Sequence, residues 1–288
     1  MPTDTNKEIE HYLNTGEHDQ NFLAWPGDDF LTRAKHGKAA LVEALISAVR
    51  QRTPCVTMPE HLIDMDVAAL TRAKLAPMVG GLFPQGERAA VLDALSRSVV
   101  FLIPANFDSV LRQSSWLGTA WDLANLYLAG LDKELLSEQA PLLAGLSEET
   151  TCYLSVDYFH AEELFDDFLV HEAAHIFHNC KRETIGLRKI RGREWLLEID
   201  FKKRELFAYA CEAYSRILAL GKGRAGRRLR LFELEQRPMP ADERVDAAEY
   251  VDVLREAVAA RNGWKRILDR CSNQRPVRRR EQQAERYL

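Results

Sequence analysis

The chain has 288 residues, 46% hydrophobic and 28% charged, with a formal net charge of −4. That is enough apolar material for one large or two small cores, and the charge exerts no global pull toward nucleic acid or a membrane surface. No apolar run approaches the ~20 residues of a membrane span.

The first stretch, "MPTDTNKEIEHYLNTGEHDQ", is polar and acidic and lacks the basic and apolar segments of a secretory leader. "KHGKAALVEALISAVRQR" places Leu41, Leu45, Ile46 and Val49 at helical spacing and stops before Pro54. "MDVAALTRAKLAPM" and "GERAAVLDALSRS" predict two more helices, separated by the breaker run "GGLFPQG". "SVVFLIP" predicts a short buried strand closed by Pro104, and "SSWLGTAWDLANLYLAGL" a serine-capped helix. "ETTCYLSVDYF", residues 149–159, nearly alternates and predicts a strand. A helix follows over Ala161–Asn179, its acidic start (Glu162, Glu163, Asp166, Asp167) suiting a positive helix end. A basic loop then leads to a long helix from about Leu196 to Leu220, stopped by Gly221. "RAGRRLRLFELEQ" and "PADERVDAAEYVDVLREAVAARNG" are helical, and the tail with "RPVRRR" is polar. The expected fold is α+β, mostly α: a helical region over 1–145 of unassigned role, then a core with a small sheet over 146–288. The cysteines Cys55, Cys152, Cys180, Cys211 and Cys271 are odd in number, scattered and without a CxxC, which fits a reducing cytoplasm.

Within Ala161–Asn179, Leu164, Phe168, His171, His175 and His178 form one stripe. His171 and His175, at i and i+4, stack one turn apart, so both imidazoles can reach one metal ion. Glu172 lies about 100° round the axis, placed for a water on that metal rather than as a ligand beside them. With 8 histidines and 25 glutamates, chance supplies only about 0.02 HExxH matches in such a chain. The surrounding Phe165, Leu169, Val170, Ala173, Ala174, Ile176 and Phe177 make the helix apolar almost all round, so it belongs inside the fold.

A catalytic zinc takes three protein ligands and an open position. On the next long helix Glu198, Glu205 and Glu212 recur every seven residues and share a face. "HEAAH" followed by "ELFAYACE" resembles the gluzincin metallopeptidases, whose second helix brings a glutamate ligand. Some of their aminopeptidases carry E-x-F-A-x-x-x-E there, matched by Glu205, Phe207, Ala208 and Glu212. The resemblance implies a zincin-like core and a zinc site of His171, His175 and Glu205, with Glu212 or Glu198 as fallback ligands. Glu212 is alternatively the acceptor that orients a ligand histidine. The likeness spans about 60 residues, from Tyr153 to Tyr214. The G-x-M-E-N exopeptidase signature is absent, and His178 and Lys181 break the metzincin extension.

The implied activity is peptide-bond hydrolysis with Glu172 as general base. Tyr209, Tyr214 and His178 are candidate catalytic groups for the oxyanion. The strand near Cys152–Val156 offers an edge for an extended peptide, or is simply a core strand. The loop cations Lys181, Arg182, Arg188, Lys189, Arg191 and Arg193 either favour an acidic peptide or protein partner at the cleft rim or form a solvated loop. The competing readings are a catalytically inactive peptidase-like binding protein, and a nucleic-acid binder, which the global acidity disfavours.

Overall fold

The computed structural model describes residues 4–56, 65–160, 163–190 and 193–272. The protein is α+β and mostly helical. In chain order the elements are α1 (Thr5–Thr15), α2 (Phe30–Arg52), α3 (Val67–Leu82), α4 (Gln85–Ser98), β1 (Val99–Phe101), α5 (Phe107–Gln113) and α6 (Leu117–Ala129). There follow β2 (Gly145–Glu148), β3 (Thr151–Leu154), α7 (Phe168–Asn179), α8 (Arg204–Leu220), α9 (Gly223–Glu235), α10 (Ala247–Ala259) and α11 (Gly263–Cys271).

The three strands form one sheet in the order β1-β3-β2. β1 runs parallel to β3, with Val99 opposite Cys152, and β2 runs antiparallel, with Gly145 opposite Leu154. β3 is therefore the central strand, paired on both sides. The expectation that it presents an edge does not hold: the edge facing the cleft belongs to β2, whose sequence "GLSE" has no β-branched residue to announce it.

Among the described residues two apolar clusters fill the interior, and the first draws on residues from both sides of 145. One joins Leu75, Met78 and Leu95 of α3 and α4 to Leu169 and Phe177 of α7, Phe207 and Ile217 of α8, Leu254 of α10 and Trp264 of α11. The other holds Tyr12, Leu41, Leu45, Leu111, Trp121 and Leu126 from α1, α2, α5 and α6. Two long-range hydrogen bonds pin α1 there, Tyr12 Oη to the Leu117 carbonyl at 2.7 Å and Trp121 Nε1 to the Leu13 carbonyl at 3.0 Å.

Several boundaries differ from the sequence reading. α3 continues through Gly80 and Gly81 because Trp264 lies on Gly81: a Cβ there would stand 2.3 Å from Trp264 Cδ1. The serine cap expected for α6 is not made, since Trp116 occupies the cap position. α7 begins at Phe168 rather than Ala161; Ala161 and Glu162 lie outside the described residues, as does the tail after 272. α8 begins at Arg204, not Leu196. Asp200 accepts a hydrogen bond from Lys202 N and starts a separate 3-10 turn, Phe201–Lys203. Among the described residues no helix is long and apolar enough to cross a membrane.

Candidate metal centre

The start of α7 is fastened from three sides. Asp167 receives Lys74 Nζ of α3 at 2.7 Å and the Tyr158 hydroxyl at 3.0 Å, while its backbone N–H donates to Glu212 Oε1 of α8 at 2.7 Å. Ala173, Ala174 and Ala208 are fully buried, and these short side chains let α7 and α8 approach closely.

That approach brings together one nitrogen each from His171 and His175 and one oxygen from Glu205, all within 4.8 Å of one another. Glu205 Oε2 lies 3.8 Å from His171 Nε2 and 3.5 Å from His175 Nε2. Ligand atoms held at ~2.0–2.1 Å around a tetrahedral zinc stand roughly 3.3–3.4 Å apart, so Glu205 Oε2 already stands within about half an ångström of that separation from each histidine.

Hydrogen bonding behind the trio decides which atoms carry hydrogens. Glu212 Oε2, an acceptor, lies 3.0 Å from His171 Nδ1, which therefore donates and leaves Nε2 bare in the neutral ring. His178 Nδ1 donates to Asn179 Oδ1 at 2.9 Å, so His178 Nε2 accepts from His175 Nδ1 at 3.1 Å. His175 Nε2 is then bare as well. Two nitrogen lone pairs and a carboxylate oxygen converge, and a cation between them would relieve their mutual repulsion. Burial first, with the neighbouring His175 and Arg204 adding to it, pushes the His178 pKa down to about 3 and keeps its ring neutral.

Burial alone would lower His171, but the Glu212 hydrogen bond and the charges of Glu212, Glu172 and Glu205 outweigh it and raise its pKa. Glu205 is driven the other way: burial opposes its charge, yet His175, Arg244 and His171 hold it below the usual carboxylate range. Burial raises Glu172 against the pull of His171 and His175. Glu172 is packed under β2, where Ser147 hydrogen-bonds it and a Cβ on Gly145 would stand 2.7 Å from its Cγ.

These groups line a cleft of ≈ 1050 Å³, walled on the other side by Leu142–Ser147. Of the oxyanion candidates, Tyr209 lines the cleft, its ring edge-on to His171 at 4.5 Å. Tyr214 does not line it: the side chain is buried against Trp264 at 4.9 Å, with its hydroxyl at Gly263. His178 lines the cleft, but both its nitrogens are spent on His175 and Asn179. Glu198 is off the ligand helix, and its Oε1 accepts from the backbone N–H of Glu194 and Trp195. Of the expected loop cations, Lys181, Arg182, Arg188, Lys189 and Arg193 do not line the cleft, and Arg191 lies outside the described residues. Arg182 is buried on Glu87 and the Arg188 carbonyl, and Lys181 pairs with Glu194. Lys202, Arg204 and Arg244 line the cleft instead.

Sequence reasoning missed Arg244 and Asp242. Arg244 Nη1 holds Glu205 Oε1 at 2.9 Å, leaving Oε2 for the histidines, and Asp242 grips Arg244 through Nε and Nη2 at 2.9 and 2.6 Å. The D-x-R spacing of "ADERVD" was the available signal. No protein-family profile, curated protein or solved structure matches the chain.

Proposed function

We propose that the protein is a zinc-dependent peptidase of gluzincin type with a zincin-like core, hydrolysing peptide bonds in the cleft between β2 and α8. The observation that carries this reading is the convergence of His171 Nε2, His175 Nε2 and Glu205 Oε2 beside a buried Glu172. A structural zinc site has no use for that second carboxylate. Zinc held by the trio would polarise a peptide carbonyl and bring the pKa of a water toward neutrality.

The chain's own residues supply the rest. Glu212 and His178 fix the two imidazoles, and Arg244 fixes Glu205, so the ligands are set before anything binds. Glu172, its pKa raised by burial, takes a proton at its carboxylate and returns it to the departing nitrogen. Tyr209 is the oxyanion donor of choice, because its hydroxyl has no hydrogen-bond partner among the described residues and it lines the cleft. The unpaired edge of β2 offers backbone N–H and C=O groups to an extended substrate.

The test is Glu172→Gln. The variant is expected to bind zinc as the wild type does and to lose turnover by at least about a hundredfold, read by profiling new peptide termini in a complex protein mixture. Equal cleavage by both proteins would end the assignment.

A further inference from the structure

α8 opens on a charge pattern that works against its own helix. Lys202, Lys203 and Arg204 stand at its N-terminal end, where the helix dipole favours anions and repels cations. No side chain caps this end. Lys203 is accounted for, since its Nζ reaches Glu249 at 2.7 Å and the Arg270 carbonyl at 3.1 Å. Lys202 and Arg204 have no ion-pair partner among the described residues, and both line the cleft.

Arg204 is already held in place. Its guanidinium lies over the Phe201 ring at 5.2 Å, and its Nε is buried without a hydrogen-bond partner. Phe201 is 79% exposed and itself lines the cleft, so the stacked pair projects into the space a ligand would occupy. With Nε buried, the end of the guanidinium that remains free is that of Nη1 and Nη2, which can meet the two oxygens of a carboxylate with a pair of hydrogen bonds. The other carboxylates in the cleft do not satisfy it. Glu212 is spent on Asp167 and His171, Asp242 on Arg244, and Glu205 on Arg244 and the histidine pair.

We infer that Lys202 and Arg204 form a carboxylate-recognition subsite at the α8 end of the cleft, one that selects an acidic group on the ligand. As a statement about substrate it rests on the peptidase reading; as a statement about binding it does not. The carboxylate comes either from an aspartate or glutamate side chain or from a free C-terminus.

The subsite is tested on the full-length protein by calorimetry, with and without added zinc, using glutarate and its neutral isostere glutaramide. Glutarate is expected to bind at least about tenfold more tightly, and Lys202→Ala combined with Arg204→Gln is expected to erase the difference. Equal binding of the two probes by the wild type, or a preference that survives in the double variant, overturns the subsite. Should the double variant not fold, Lys202→Ala alone must reduce the preference. Short peptides containing Glu or Gln, each as C-terminal acid and amide, then assign the source in the inactive Glu172→Gln background. Discrimination of Glu from Gln identifies the side chain, and of acid from amide the C-terminus. Failure of turnover alongside intact glutarate selectivity would remove the peptidase and leave the subsite.

Discussion

Replacing Glu212 with glutamine preserves the shape of the side chain and removes one acceptor. The carboxylate is 4% exposed and takes two hydrogen bonds, from Asp167 N at 2.7 Å and His171 Nδ1 at 3.0 Å. A glutamine has one acceptor oxygen for those two donors, and its amide nitrogen must face the other. If His171 loses, it is free to place its hydrogen on Nε2, the atom aimed at Glu205. Losing such an orienting partner typically costs about 10- to 100-fold in metal affinity, equivalent to about 1.4–2.7 kcal/mol. If Asp167 N loses, the first turn of α7 carries an orphaned donor, at about 1–3 kcal/mol of stability. Competition of the protein for zinc against a chromophoric chelator reads the first cost, and urea denaturation of the metal-free protein reads the second. Affinity and stability both within error of wild type would refute the orienting role.

Glu205→Ala should bind zinc far more weakly than wild type while staying folded, and one zinc per chain retained at wild-type affinity would remove Glu205 from the ligand set. His178 gives the metal-free protein a pH signature. The unfolded chain protonates this residue near the ordinary 6.5 and the folded chain only near 3, so stability present above pH 6.5 is lost as the pH falls. The loss approaches ~1.4 kcal/mol per pH unit. His178→Gln should flatten the profile between pH 6.5 and 4 relative to wild type, and parallel urea-denaturation profiles would contradict the buried neutral ring. Gly81→Ala separates propensity from packing. In an open helix the change stabilises by about 1 kcal/mol, but here the new Cβ meets Trp264, and overpacking costs about 1–3 kcal/mol. Net destabilisation is expected, and a rise in the denaturation midpoint would show that Trp264 yields freely.

The histidine pair was legible because i, i+4 spacing is a property of any helix and does not wait for tertiary structure. The third position was only partly so. Glu198, Glu205 and Glu212 are interchangeable by period, and what separates them is where α8 starts. Leu196, Leu197 and Ile199 prolong the apolar rhythm backward, yet Leu196 and Leu197 lie in a bend and Ile199 in an isolated bridge to Ser272, and Asp200 was the overlooked capping signal. Glu205 and Glu212 then divide between the Nε2 and Nδ1 sides of His171, a matter of how two helices pack. Arg244 and Asp242 fall in a stretch the sequence reads as the start of a helix, but α10 begins only at Ala247, capped by Asp246, which leaves both in the irregular segment before it. Strand β2 was hidden because its four residues gain their extended form from pairing with β3 and from Gly145 fitting over Glu172. α1, α5 and α11 have 11, 7 and 9 residues, too few to stand as helices without tertiary contacts.

Gly81 lies against Trp264, and the Gly81 carbonyl accepts a hydrogen bond from Asn262 Nδ2 at 2.8 Å. On a ribosome adding about 5–20 residues per second, those partners arrive roughly 10–40 s apart. During that interval Leu75, Met78 and Val79 of α3 have emerged, while α7, α8 and α10 arrive one after another and α11 completes the cover at the end. The cluster built from α1, α2, α5 and α6 can close during synthesis, whereas the one around the histidines must wait for α11. A nascent chain stalled before residue 264 would therefore hold a finished front half and an uncovered apolar face, the kind of surface that chaperones bind and that aggregation exploits.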